Sequence, residues 1–381
     1  MASRLLAIIA LSVLSFSFAG CESKKETTDK TAADIAPNAQ SELSPQAAIE
    51  ATNILWLAGT KALNSSLKAG LELNQKIETL LLNPTQENLL NAQQSWKPAE
   101  LAYRQFFFHS QLGIAAPEIF TPLTKACFSL AAHPIQPGYL DYFGAYQYSG
   151  LVHDISVQLS AENLMHSHGM TDPEDVALGL YAIEYMLFGE NHTRPISDYE
   201  VALTLNQHQK QTGYKTVEET PNNRRRHLLQ LQSDILKADI QQLADLWQAS
   251  NSGSLKAQWT DLTANTKRKT VRKTFERALT QLILQITTLA PQEDAEPAST
   301  EDIQRLAADI HSLTVIGPWL TEAQRNDVSQ QLQRAETLLQ QLVTESENKV
   351  LWQQTYQATK AAMDACRRKI DVFSVDRPEQ G

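Results

Sequence analysis

"ALGLYAIEYMLFGEN", residues 177–191, decides how the rest of the chain is read. Leu178, Leu180, Ile183, Met186 and Leu187 are apolar over too wide an arc for a surface helix, so the helix is expected to be mostly buried. Tyr181 and Glu184 sit three residues apart and therefore share a face. A carboxylate in such a helix must be paired, metal-bound or protonated, because bare burial is costly. Two readings follow for Glu184: an ion pair with an arginine such as Arg104 or Arg225, or a contact to a ligand or metal. Just upstream, Asp172 and Pro173 with Glu174 and Asp175 have the form of a helix start.

The flanking sequence is helical almost throughout. Ser44-Pro45 opens a helix that closes at Asn83-Pro84, with Ile54, Leu57, Ala58, Leu63 and Leu67 at helical spacing. Thr85 caps the next, which ends at Gly113 and carries Pro98 as a kink or break. Residues 114–148 contain four prolines, with Tyr139, Tyr142, Phe143, Tyr146 and Tyr148, and read as loop and short helix of a kind that often carries function. A helix is expected over 151–165, then a His/Asp/Glu-rich loop over 166–175. Polar, irregular chain over 191–220 leads into two long amphipathic helices, and three more span 300–315, 321–346 and 348–372. No stretch alternates as a strand would. The fold expected is all-α, as two packed helical bundles over 46–250 and 251–381.

Before them stand a targeting segment, residues 1–20, and a flexible tether, residues 21–45. "LLAIIALSVLSFSF" is too short for a permanent membrane span and ends in small residues. "FAGC", residues 18–21, resembles a bacterial lipobox in which Cys21 becomes lipidated, although Phe18 replaces the usual aliphatic residue. The polar stretch that follows has almost nothing to put in a core. Glu22 is not aspartate, so the outer membrane of a two-membrane bacterium is the expected destination.

The chain of 381 residues has a net charge of −10, which disfavours nucleic acid as a partner. The runs Arg224-Arg225-Arg226, Lys267-Arg268-Lys269 and Arg367-Arg368-Lys369 lie within helical patterns and read as solvated faces. Cys127 and Cys366 can form a bridge or remain two buried thiols. His166 and His168 with Asp172, Glu174 and Asp175 form a polar loop that presets no coordination shell. His153-Asp154 falls within the helix expected there. No phosphate-binding glycine loop and no Ser or Cys nucleophile motif is present.

The opening stretch resembles the signature helix of the imelysin-like, or M75 peptidase, family: glycine, one residue, histidine, two residues, glutamate, then apolar residues and glycine. Gly179, Glu184, Tyr185, Leu187, Phe188 and Gly189 match, and Tyr181 stands at the histidine. Trp96, Ala99 and Tyr103 resemble the family's Trp-containing second helix, with Phe106, Phe107 and Phe108 where an acid is often found. Residues 135–156 and 222–247 resemble the segments flanking the signature. The resemblance implies a periplasm-facing double helical bundle with the signature helix lining a cleft, and either metallopeptidase activity or a binding role in iron uptake. Tyr181 weakens the first reading, because a phenol is mostly protonated at neutral pH.

The function expected is therefore ligand binding by an envelope lipoprotein, plausible in iron or other metal uptake, with no catalytic residue assigned. Tyr181, Glu184, Trp96, Tyr103, Arg104 and Asp141 are the candidate ligand-binding residues, and Glu184 the candidate metal ligand. The cofactor expected is at most a weakly held divalent metal or iron. Partners expected are the membrane through lipidated Cys21, a small ligand or metal, and other envelope uptake proteins. The rival readings are a metal-dependent peptidase and a structural or docking lipoprotein.

Overall fold

Ser44 accepts the backbone N–H of Ala47 and Pro45 takes the first helical position, so α1 (Pro45–Leu82) begins where the sequence places it. A computed structural model describes residues 43–368 except 212 and 293–296. The targeting segment, Cys21 and the tether up to residue 42 lie outside the described residues. Among these residues no β-strand forms, and no helix is long and apolar enough to cross a membrane.

Thr85 caps α2 (Gln86–Arg104), which runs through Pro98 without ending. The expected loop over 114–148 contains a full helix, α3 (Pro117–Ala131). Pro117 serves as its first residue, and Ile119, Phe120, Leu123 and Leu130 bury one face. The expected helix over 151–165 shortens to α4 (Ala161–Ser167), so His153 and Asp154 lie in a turn rather than a helix. The signature helix α5 (Leu180–Phe188) also starts later than Asp172-Pro173 suggests. Asp172 accepts the backbone N–H of Glu174 in a local turn instead. Gly179 then sets the start at φ 90°, and a Cβ there would lie 2.6 Å from the carbonyl oxygen of Leu130. The remaining long helices are α6 (Pro221–Gln248), α7 (Ala264–Leu289), α8 (Thr300–Ser312), α9 (Glu322–Leu342) and α10 (Lys349–Arg367).

α1 packs along α2 and α6, and α5 is wedged against α2, α3 and α6. α9 packs on α10 and α8, and α7 on α10. Contacts also cross residue 250: α8 lies on α2, and the turn Leu313–Trp319 lies on α1. Residues on both sides of the expected bundle boundary thus share one apolar cluster, from Ala51 to Cys366. Cys127 and Cys366 are free thiols, which removes the bridge between them.

Where α1 crosses α6, Trp56 and Trp247 stack at 4.7 Å between centroids. Each indole N–H donates to the other residue's carbonyl, at 3.2 and 3.1 Å. Gly59 makes this approach possible, since a Cβ there would stand 2.6 Å from the Trp247 ring. Alanine would gain about 1 kcal/mol of helix propensity at this position. The stacked Trp56 keeps the Trp247 ring from retreating, and overpacking costs about 1–3 kcal/mol. Gly59→Ala is therefore expected to destabilise the protein by up to about 2 kcal/mol net, read as a lower urea midpoint; a raised midpoint would show that the ring can move.

Candidate functional site

α5 has nine residues, and all but Glu184 are buried. Its end groups must be satisfied by protein rather than water. The Trp96 indole donates to Leu180 O at 2.7 Å, and Gln93 donates to Leu187 O at 2.9 Å, fixing α5 on α2. Arg194 donates to Met186 O and Tyr185 O, and the Tyr199 hydroxyl also donates to Met186 O.

These bonds hold Tyr181 and Glu184 against an ionic cluster built from α2, α5 and α8. Glu100, one turn after Trp96, accepts from Arg104 Nε at 2.8 Å, from Arg305 Nε at 2.9 Å and from the Tyr181 hydroxyl at 3.1 Å. Arg104 also donates to the Tyr181 oxygen at 2.7 Å and to Asp309 at 2.6 Å. Arg305 reaches Glu184 at 2.7 Å and Asp302 at 3.2 Å, with its guanidinium 5.4 Å from the centre of the Trp96 ring. The His133 ring meets Tyr181 edge-on at 4.8 Å.

The cluster opens toward solvent on one side. Glu100 and Asp309 are buried, whereas the side chains of Glu184, Arg305 and Asp302 are 23, 19 and 34% exposed. Burial pushes the Glu184 carboxyl up to about 7, outweighing the opposite pull of Arg305. Burial likewise holds Asp309 above the usual carboxylate range, and its Oδ1 has no hydrogen-bond partner. Desolvation also keeps the Tyr181 phenol protonated at every physiological pH.

The structure thus brings together Tyr181, Glu184, Trp96 and Arg104. The ion-pair partner of Glu184 is Arg305, not Arg104 or Arg225. Tyr103 stands beside this group, close to the Cys127 thiol, which burial pushes up to about 12. Glu100, Arg305 and Asp309 are missing from the residues singled out by sequence. Glu100 shares a helix face with Trp96 and Arg104, a signal that could have found it. Nothing local to α8 connects Arg305 or Asp309 to residue 100.

Asp141 belongs to a second cluster. It is fully buried and accepts from Arg225 at 2.6 and 2.9 Å and from Arg194 at 2.9 Å, with His153 Nε2 3.3 Å away. Arg194 also bonds Asp198 at 2.9 Å. Burial alone would raise the Asp141 pKa, but His153, Arg225 and Arg194 together hold it well below the usual range. The reading of Arg224-Arg225-Arg226 as a solvated face is overturned here, since Arg224 and Arg225 are buried. Arg224 donates to four backbone carbonyls instead. His168 is also structural: its Nδ1 accepts the N–H groups of Ala177 and Leu178.

Two outcomes test these assignments. Asp141→Ala leaves two buried guanidiniums without their shared carboxylate, so a loss of about 3–5 kcal/mol is expected in urea denaturation. In the unsubstituted protein that stabilisation is complete above about pH 4 and fades as the pH falls further. Glu184 has the opposite sign. Its pKa is raised on folding, so it contributes stability below the unfolded value and loses it as the pH rises toward about 7. Glu184→Gln removes this dependence, so between pH 5 and 8 the stability difference should shift toward the variant, by on the order of 2 kcal/mol. A pH-independent difference would sink the assignment.

Residues 59–373 match the Imelysin family, Peptidase_M75. No curated protein matches the chain. It is similar in fold to a crystal structure from Parabacteroides distasonis ATCC 8503, of a protein assigned as an iron-regulated protein A precursor. The TM-score is 0.52 at 12% identity, covering 87% of this chain and 95% of that one. The match spans most of the sequence and takes in α2, α5 and α8; the chain belongs to the imelysin family.

Proposed function

We propose that this imelysin-family protein is a ligand-binding protein of the cell envelope. Its ligand is a metal ion or a small molecule carrying positive charge, received at the open edge of the α2–α5–α8 cluster. One observation carries the reading: the four carboxyls of Glu100, Glu184, Asp302 and Asp309 meet only the two guanidiniums of Arg104 and Arg305. Such a group has room for one more positive charge beside Glu184, the carboxyl held near neutrality by burial. Tyr181 and Arg104 keep the acids in place, and Trp96 supplies an apolar wall. The iron-regulated assignment of the Parabacteroides distasonis protein agrees with iron as cargo. The apolar segment before Cys21 supports lipid anchoring, with the outer membrane as the destination and other envelope uptake proteins as partners.

A resident hydrolytic metal fits these residues poorly. Such a site needs several deprotonated donors with a free coordination position. Here Glu100 and Glu184 are already bonded to guanidiniums, and Tyr181 is a protonated phenol. Among the described residues, no group of three or more His, Cys, Asp and Glu is arranged to hold a metal ion. The ligand is therefore expected to bind by displacing or sharing Arg305, as cargo rather than as a catalytic centre.

Calorimetric titration with ferrous, ferric-citrate, zinc and cupric ions tests this. Binding of at least one is expected, tighter at pH 8 than at pH 6 because Glu184 must ionise. Glu184→Gln should weaken it about tenfold, or ~1.4 kcal/mol. Absence of binding by all four refutes the metal-ion reading, and binding indifferent to Glu184→Gln refutes the site.

A further inference from the structure

His133 stands at the rim of the ionic cluster with neither ring nitrogen engaged. It lies just beyond α3, and the chain on both sides of it is pinned. Upstream, α3 approaches α5 so closely that a Cβ on Gly179 would meet the carbonyl oxygens of Leu130 and Ser129 at 2.6 and 2.7 Å. Ala132 is buried, and downstream the N–H of Gln136 donates to Glu174 O at 2.8 Å. His133 is therefore held against the first turn of α5, where its ring meets Tyr181 edge-on at 4.8 Å.

The charges that act on this ring are those of the cluster itself: Arg104, Arg305, Glu100 and Asp302. The residue is exposed, and among the described residues no hydrogen bond reaches its imidazole. Other histidines differ in this respect. His109 and His227 each hold a backbone carbonyl, and His168 accepts two backbone N–H groups. Desolvation of the His133 ring, then the guanidiniums of Arg104 and Arg305, lower its pKa below the ordinary value. The ring is consequently neutral at pH 7, the form in which imidazole gives a lone pair to a metal.

We propose that His133 supplies a nitrogen ligand to the cation received beside Glu184, which makes the edge a site for a borderline divalent transition ion. This rests on the cation-binding reading of that edge and narrows its cargo to ions of the zinc, cupric and ferrous class. Carboxylates and water alone suit calcium and magnesium, whereas a neutral imidazole favours transition ions. Two protein ligands, one oxygen from Glu184 and one nitrogen from His133, leave the rest of the shell to water. A shell so incomplete suits a cargo that must be released, and it forms as Arg305 yields its bond to Glu184.

The test uses the full chain at pH 7.5, with the chlorides of copper(II), zinc, calcium, magnesium and tetramethylammonium as calorimetric probes. Cupric and zinc ions are expected to bind one site at least about tenfold more tightly than the other three. The electron paramagnetic resonance spectrum of the cupric form should show splitting from a coordinated nitrogen. His133→Phe keeps a ring edge against Tyr181 and should melt with the unsubstituted protein, yet lose both the splitting and the tenfold preference. Splitting and preference that survive His133→Phe overturn the proposal while leaving Glu184 as a cation site. Calcium or magnesium bound as tightly as zinc also overturns it. Zinc and cupric binding that Glu184→Gln leaves unchanged overturns the shared site, and with it the reading on which this one rests.

Discussion

Nine buried helical residues confront the fold with an accounting problem: the end groups of α5 have no water to bond. The solution organises the N-terminal part of the molecule. Trp96 and Gln93 bring α2 to the helix, and Arg194 and Tyr199 bring the segment after it back over its C-terminal end. Each of these bonds is worth more in a dry interior than at the surface. Gln93, Arg194 and Tyr199 reach carbonyls of the last turn, whereas Trp96 adds a second bond to Leu180 O, which the helix already engages. α5 is consequently held in one place and one rotation. That is why Tyr181 and Glu184 arrive at the same cluster and Tyr185, one turn on, donates to Tyr142 O beside the other.

The two ionic clusters joined to α5 use the same residue types with different outcomes. Around Asp141, two carboxylates and two guanidiniums balance, and the central acid is sealed from water. Closed, balanced and bidentate, it behaves as a fastener between residues 141, 194 and α6. Around Glu184, carboxyls outnumber guanidiniums and one side meets solvent. The surplus charge is kept tolerable by raised pKa values on Glu184 and Asp309. The first arrangement stabilises; the second keeps more carboxyls than guanidiniums at an edge that meets solvent, which is the basis of the cation-binding proposal.

Arginine shows how far local pattern can mislead. Three in a row at the head of α6 look like a solvated face, yet Arg224 spends its donors on a loop's carbonyls and Arg225 neutralises Asp141. Proline misleads in the other direction. Pro117 and Pro122 suggest loop, but the first occupies a helix's opening position and the second is carried within α3. Caps were more dependable: Ser44 and Thr85 each start the helix they announce, since a capping bond is made within a few residues of chain.

By itself, the sequence determined the all-helical class, the buried character of α5 and the presence on it of a carboxylate in need of a partner. These depend on spacing along a helix and on local caps, interactions that close over three or four residues. Only the tertiary structure decided which partner that carboxylate received. Arg305 lies 121 residues from Glu184, and Glu100 and Asp309 are 209 residues apart. It also separated Asp141 from Tyr181 and Glu184, which a list of candidate residues had joined. Charge pairing over such separations is set by how helices pack, and no periodicity in the chain encodes which guanidinium will face which acid.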